Sequence, residues 1–105
     1  MFITVFITTP DLRTANKISQ GVLKKRLCAC VNIVKGIESF FWWQRKIDKA
    51  KECLLVMKTR KSLFKKLEKE VISLHPYTVP EVISLPIVNI SRKYAEWLKQ
   101  ETNGG

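Results

Sequence analysis

Cys28-Ala29-Cys30-Val31-Asn32-Ile33-Val34-Lys35-Gly36-Ile37-Glu38-Ser39-Phe40-Phe41-Trp42-Trp43 is a long run rich in β-branched and aromatic residues. Only Gln44-Arg45-Lys46 separates it from a second extended run, Ile47 to Lys58. Such runs joined by so short a connection read as a hairpin. Lys35-Gly36 is its one interruption, and glycine within a strand pattern predicts a bulge or bend. The hairpin is too long for one small domain to cover. Successive strand residues face opposite ways, so Phe40, Phe41, Trp42 and Trp43 put aromatic bulk on both faces of its tip. One face can be hidden by the domain itself, and hiding both calls for a partner subunit.

Outward from the hairpin, the remaining elements fall into place. Residues 2–8 alternate Phe2/Phe6 and threonines with Ile3/Val5/Ile7, as in a strand covered on both faces. Thr9-Pro10-Asp11 offers a helix start. Leu12, Ala15, Ile18, Ser19, Val22 and Leu23 share one face of a helix over about residues 11–26. Ser62 to Leu74 predicts a second helix with Leu63, Phe64, Leu67, Val71 and Leu74 inward and a Lys66/Glu70 pair one turn apart. Val79 to Val88 predicts a strand that Pro80 and Pro86 confine to an edge or to pairing on one side. Ser91 is placed to cap a last helix striped by Tyr94, Trp97 and Leu98. Gly104-Gly105 reads as a frayed end. The order β-α-β-β-α-β with a terminal helix predicts an α+β, ferredoxin-like domain over residues 1–105, an antiparallel sheet with helices on one face. The open face, overlong hairpin and proline-bearing edge would be covered by cyclic assembly.

Composition narrows the function classes. At 105 residues and 46% hydrophobic, the chain holds one domain with a modest core. No window approaches the roughly 18 apolar residues of a membrane span. The start, Met1-Phe2-Ile3-Thr4-Val5-Phe6, lacks the basic region of a secretory signal, which predicts a cytoplasmic protein and makes the Asn89-Ile90-Ser91 sequon incidental. Cys28, Cys30 and Cys53 are an odd number, which argues against a disulfide framework. Cys28 and Cys30 would share a strand face, where they serve either as small buried hydrophobes or as soft ligands for a metal such as Cu(I). The net charge is +10, and residues 45–69 alone carry +7. Such a face either attracts anionic partners or keeps the chain soluble.

The only histidine stands in His75-Pro76-Tyr77-Thr78-Val79-Pro80-Glu81. Pro76 pushes His75 out of the helical region, so the imidazole sits at the helix end beside an aromatic, a carboxylate and the next strand. A lone histidine removes most catalytic and metal-cluster readings for a single chain.

Thr9-Pro10-Asp11, Arg26-Leu27-Cys28-Ala29-Cys30-Val31-Asn32, Ser39-Phe40-Phe41-Trp42-Trp43, Lys46-Ile47, Lys58-Thr59, His75-Pro76-Tyr77, Pro80-Glu81 and Tyr94-Ala95-Glu96-Trp97-Leu98, in that order and spacing, resemble the CutA divalent-cation-tolerance family along nearly the whole chain. The resemblance implies a ferredoxin-like subunit in a tight homotrimer built through its hairpins. It further implies a cytoplasmic protein tied to tolerance of copper and other divalent cations, with no catalytic activity. The family's inter-subunit cleft matches Phe41, Trp43, Lys58, His75, Tyr77 and Glu81. Members with a proposed copper site carry a cysteine in the first strand and two consecutive histidines before Pro-Tyr, where this chain has Ile7 and Leu74. Cys30 matches the family cysteine, Cys28 stands where alanine is usual, and Arg45 replaces the hairpin-tip glycine, so the turn cannot lean on glycine's free φ there.

Three functional readings follow. In the first, Cys30 and His75 from several copies bind copper or another divalent ion. In the second, Lys58, Tyr77 and Glu81 at the inter-subunit cleft grip an anion or polar metabolite; Lys58 and Glu81 could equally pair and lock subunits. The third, nucleic-acid binding, has only charge behind it. Recognition domains of this topology stack bases on aromatics of the third strand, and Glu52-Cys53-Leu54-Leu55-Val56-Met57 is aliphatic there. No Ser-His-Asp set or glycine-rich phosphate loop argues for an enzyme.

Overall fold

A computed structural model describes residues 1–102, so the Gly104-Gly105 end lies outside the described residues. The elements are β1 (Phe2–Thr9), α1 (Leu12–Lys24), β2 (Cys30–Trp43), β3 (Lys46–Arg60), a 3-10 turn (Lys61–Leu63), α2 (Phe64–Leu74), β4 (Val82–Pro86) and α3 (Arg92–Glu101). The four strands form one antiparallel sheet in the order β2-β3-β1-β4. This is the ferredoxin-like arrangement that the element order predicts.

Alternation along β1 sets the layers. Ile3, Val5, Ile7 and Thr9 are buried while Phe2, Thr4, Phe6 and Thr8 are half-buried. The buried set joins Leu55 and Met57 of β3 beneath Ala15, Ile18 and Val22 of α1 and Leu67 and Val71 of α2. Each Val, Ile, Leu or Met among them contributes about 1.5–3 kcal/mol by leaving water. α1 and α2 pack closely, since a methyl on Gly21 would stand 2.8 Å from Leu74 Cδ1. α1 begins at Asp11, whose Oδ1 accepts the Thr14 N–H at 2.8 Å and whose carboxyl is held below its usual range by hydrogen bonds from Thr14. The helix closes with Arg26 at φ 54° and Leu27 N–H donating to Val22 O, so the chain turns sharply before β2.

The hairpin is as long as its sequence predicts, 14 residues in β2 and 15 in β3. Its register slips between Val34 and Ile37, where Gly36 takes φ 70°. β2 begins at Cys30 rather than Cys28. Leu27 to Ala29 belong to the crossing from α1, so Cys28 is buried (2% exposed) while Cys30 is half-exposed on the sheet. The tip is also a correction, because Gln44 and Arg45 both adopt positive φ, 50° and 67°. The turn thus uses the left-handed geometry of a tight hairpin without the glycine that makes it cheap. β4 is shorter than the sequence suggests and is an edge strand, pairing only with β1.

Three further expectations give way to tertiary contacts. Glu70 pairs with Lys25 of α1 at 2.8 Å, not with Lys66 one turn away. Ser91 occupies the cap position of α3, but its side chain makes no capping bond. The helices do not all lie on one face. The register aligns Phe2 with Arg60, and Thr4 with Lys58, Cys30 and Leu85, all on the side away from α1 and α2. α3 meets that side. Arg60 Nε donates to Thr102 Oγ1 at 2.9 Å and its Nη2 to Thr102 O at 2.8 Å, and Tyr94 lies beside the Cys30 thiol. Beyond α3 this face stays largely apolar and open, with Val34, Ile83 and Leu85 each about half exposed.

Candidate functional site

α2 ends where Pro76 forces His75 into extended backbone (φ −88°, ψ 134°). The imidazole is then fully engaged. Nε2 lies 2.7 Å from Thr8 O, a carbonyl that can only accept, so Nε2 carries the proton. Nδ1 accepts the Tyr77 N–H at 3.2 Å, and the two rings pack at 4.7 Å between centroids. His75 thereby fastens the post-helix loop to the end of β1 and sets the direction of Tyr77.

Tyr77 Oη donates to Glu52 Oε2 at 2.8 Å across to β3. Burial, followed by the hydrogen bond and charge of Glu52, pushes the Tyr77 hydroxyl's pKa well above the usual tyrosine value. Glu52 itself is only 7% exposed. Next to this pair opens a cleft of about 610 Å³ between the hairpin and the 76–81 loop. Phe41, Trp43 and Tyr77 supply aromatic walls, and Asp48, Glu52 and Glu81 supply carboxylates. Among the described residues of the chain itself, no lysine or arginine lines it. In a chain of net charge +10 this is a local inversion of sign.

The expected cleft residues therefore divide. Phe41, Trp43, Tyr77 and Glu81 come together, and His75 supports them from behind. Lys58 is elsewhere. It pairs in register with Cys30 and Thr4, and its Nζ bonds Asn32 Oδ1. Cys30 and His75 are likewise apart within one chain. The register places Cys30 at the level of Thr4 and His75 at Thr8, roughly 13 Å along the strand. Among the described residues no group of three or more His, Cys, Asp or Glu side chains could hold a metal ion. Asp48 and Glu52 are the charged cleft residues that the sequence reading missed. Glu52 carried a signal, since a carboxylate heading the aliphatic run 53–57 has to find a polar partner when buried.

Cys30, Asn32, Lys58 and Tyr94 make a second polar cluster on the open sheet face. Cys30 Sγ lies 3.9 Å from Asn32 Oδ1. Burial and the neighbouring Cys30 raise the Tyr94 pKa. The thiol of Cys28, by contrast, is pushed up to about 12 by burial.

Comparison with known proteins agrees with this architecture. The model of the family described as CutA1 divalent ion tolerance protein matches residues 3–101. The chain is 44% identical over 98 residues to the divalent-cation tolerance protein CutA of Thermus thermophilus, covering 93% of this chain and 95% of that protein. It is 45% identical over 100 residues to the chloroplastic protein CutA 1 of Oryza sativa, covering 95% of this chain and 56% of that protein. The chain thus spans little more than half the length of the plant relative. The solved structure of the periplasmic divalent cation tolerance protein CutA from Archaeoglobus fulgidus is 37% identical and superimposes with a TM-score of 0.95, covering 98% of this chain and 100% of that one.

Proposed function

Because the chain belongs to the CutA1 divalent ion tolerance family, we propose that it serves cation tolerance as a homotrimer that binds metal ions or signals their presence, acting by binding rather than catalysis. The observation that carries the assembly is the sheet face away from α1 and α2. Val34, Ile83 and Leu85 there, with Phe41 and Trp43 of the tip, leave more apolar surface in water than a small monomer ordinarily does, and Phe40 and Trp42 on the tip's opposite face are 67% and 73% exposed. Copies packed about an axis would cover that face and give the free edge of β2 a partner. A reducing, cytoplasmic compartment suits three free thiols.

In this reading the metal is copper or another divalent or soft ion, held by ligands that more than one copy provides. Cys30 is the available thiol, since Cys28 and Cys53 are buried. His75 joins it only by giving up its bond to Thr8 or to Tyr77. If Cys30→Ala/His75→Ala binds Cu(I) as tightly as the parent, this ligand pair is wrong. The alternative, an anion in the inter-subunit cleft, requires Lys58 of a second copy, because Lys58 does not line the cleft of its own chain.

A further inference from the structure

The helix layer carries a charge that neither the open sheet face nor the cleft uses. We propose that the outward surface of α1 and α2 docks the protein peripherally on a bilayer rich in anionic lipid.

Three observations converge. The first is where the cations stand. α1 buries Ala15, Ile18, Ser19 and Val22 against the sheet. Helical periodicity then puts Arg13, Lys17 and Lys24 on the opposite side, and all three are exposed. α2 buries Leu67 and Val71, which turns Lys65 and Lys69 outward, with Lys66 on the side nearer α1. The helices lie against each other, since Lys25 Nζ meets Glu70 Oε1 at 2.8 Å. The six cations therefore share one surface, about 20 Å along α1. It faces away from the sheet side that subunit contacts would cover, so assembly leaves it in water.

The second observation is sign. α1 contains no acidic residue, and α2 contains only Glu68 and Glu70, of which Glu70 is taken by Lys25. None of the six cations has an ion pair among the described residues. A surface that serves solubility alone intersperses both signs. One sign gathered on one face instead builds a potential that draws in an anionic partner.

The third observation is shape, which selects among such partners. Two helices side by side on a sheet make a flat face with no element projecting from it to enter a nucleic-acid groove. Their one aromatic, Phe64, is half-buried, so bases have no platform to stack on. Ile72, three residues beyond Lys69, shares the outward side and is half exposed. A flat face of lysines with an aliphatic side chain among them suits lipid headgroups, and each cation close to an anionic leaflet strengthens partitioning about fivefold. No described helix is long and apolar enough to cross a membrane, so the contact is at headgroup level.

The test is co-sedimentation of the assembled protein with vesicles, either phosphatidylcholine alone or equal parts phosphatidylcholine and phosphatidylserine. The proposal expects binding to the mixed vesicles only, weakening as salt is raised. Lys65→Gln/Lys69→Gln should weaken partitioning about 25-fold, fivefold for each charge. Lys93→Gln/Lys99→Gln on α3 removes the same net charge away from this face and should leave binding nearly unchanged. All four lysines are exposed, and light scattering checks that each variant keeps the parent's mass. No binding to the mixed vesicles, or an equal loss in the two variants, overturns the proposal. So does displacement from the vesicles by duplex DNA at equal phosphate concentration, which would assign the face to nucleic acid. None of these outcomes involves Cys30 or His75, so failure here is separable from failure of the copper reading.

Discussion

The hydroxyl of Tyr77 donates to Glu52 Oε2 at 2.8 Å, joining the loop after α2 to the middle of the sheet. Tyr77→Phe removes the donor and leaves the buried carboxylate short of a partner, so it should lower unfolding stability by about 1–2 kcal/mol in a denaturant titration. The pH dependence follows from the direction of the shift. The folded-state pKa of Tyr77 is raised above the ordinary 10.0, so its contribution is complete below pH 10 and is lost as pH rises through that value towards the folded one. Parent protein should therefore lose stability on the alkaline side more steeply than Tyr77→Phe.

His75 acts first as a structural clamp. Donation from Nε2 to Thr8 and acceptance at Nδ1 from Tyr77 fix the neutral tautomer with its proton on Nε2. Nitrogen-15 NMR of the imidazole should show that tautomer in the metal-free protein. His75→Ala should cost about 1–3 kcal/mol of stability, and should also shift the resonances of Tyr77.

The hairpin tip stores a small strain. Arg45 stands at φ 67°, where a side chain costs about 1 kcal/mol relative to glycine. Arg45→Gly should raise the unfolding midpoint without changing the assembly state, and a lowered midpoint would show that Arg45 makes contacts that outweigh the backbone cost.

Much of this architecture was legible in the residues, and the reasons for the remainder are physical. Periodicity found every strand and helix, and Gly36 announced the irregularity in β2, because those signals are local. The pairing of Glu70 was not local. Lys66 sits one turn away in sequence, but α1 brings Lys25 to 2.8 Å, and a packed neighbour overrides a weak helical pair. The position of α3 depends on Arg60 and Thr102, residues with no sequence signal for each other. The cleft divided the same way. Aromatics in succession and the His-Pro-Tyr run were conspicuous, whereas Asp48 and Glu52 reach the cleft only through hairpin register. Lys58 lies four residues along β1 from Thr8, the level at which the cleft opens, so it stands outside the cleft of its own chain, and a place in an inter-subunit cleft depends on a second copy.

Thiol reactivity should follow burial. Cys28, with its pKa pushed up to about 12, presents little thiolate at neutral pH, and Cys53 is shielded from reagents by burial. Native protein treated with iodoacetamide should carry label at Cys30 alone, with Cys28 and Cys53 modified only after unfolding. Mass spectrometry of the digested protein distinguishes the three.

The central claim is a preformed trimer whose subunit contacts cover the open sheet face and on which any metal ion is a guest. Light scattering under reducing conditions, with and without Cu(I), tests it most directly. The account predicts the mass of three chains in both conditions. A single-chain mass in both would contradict it, and a monomer that trimerises only with Cu(I) would make the metal part of the scaffold.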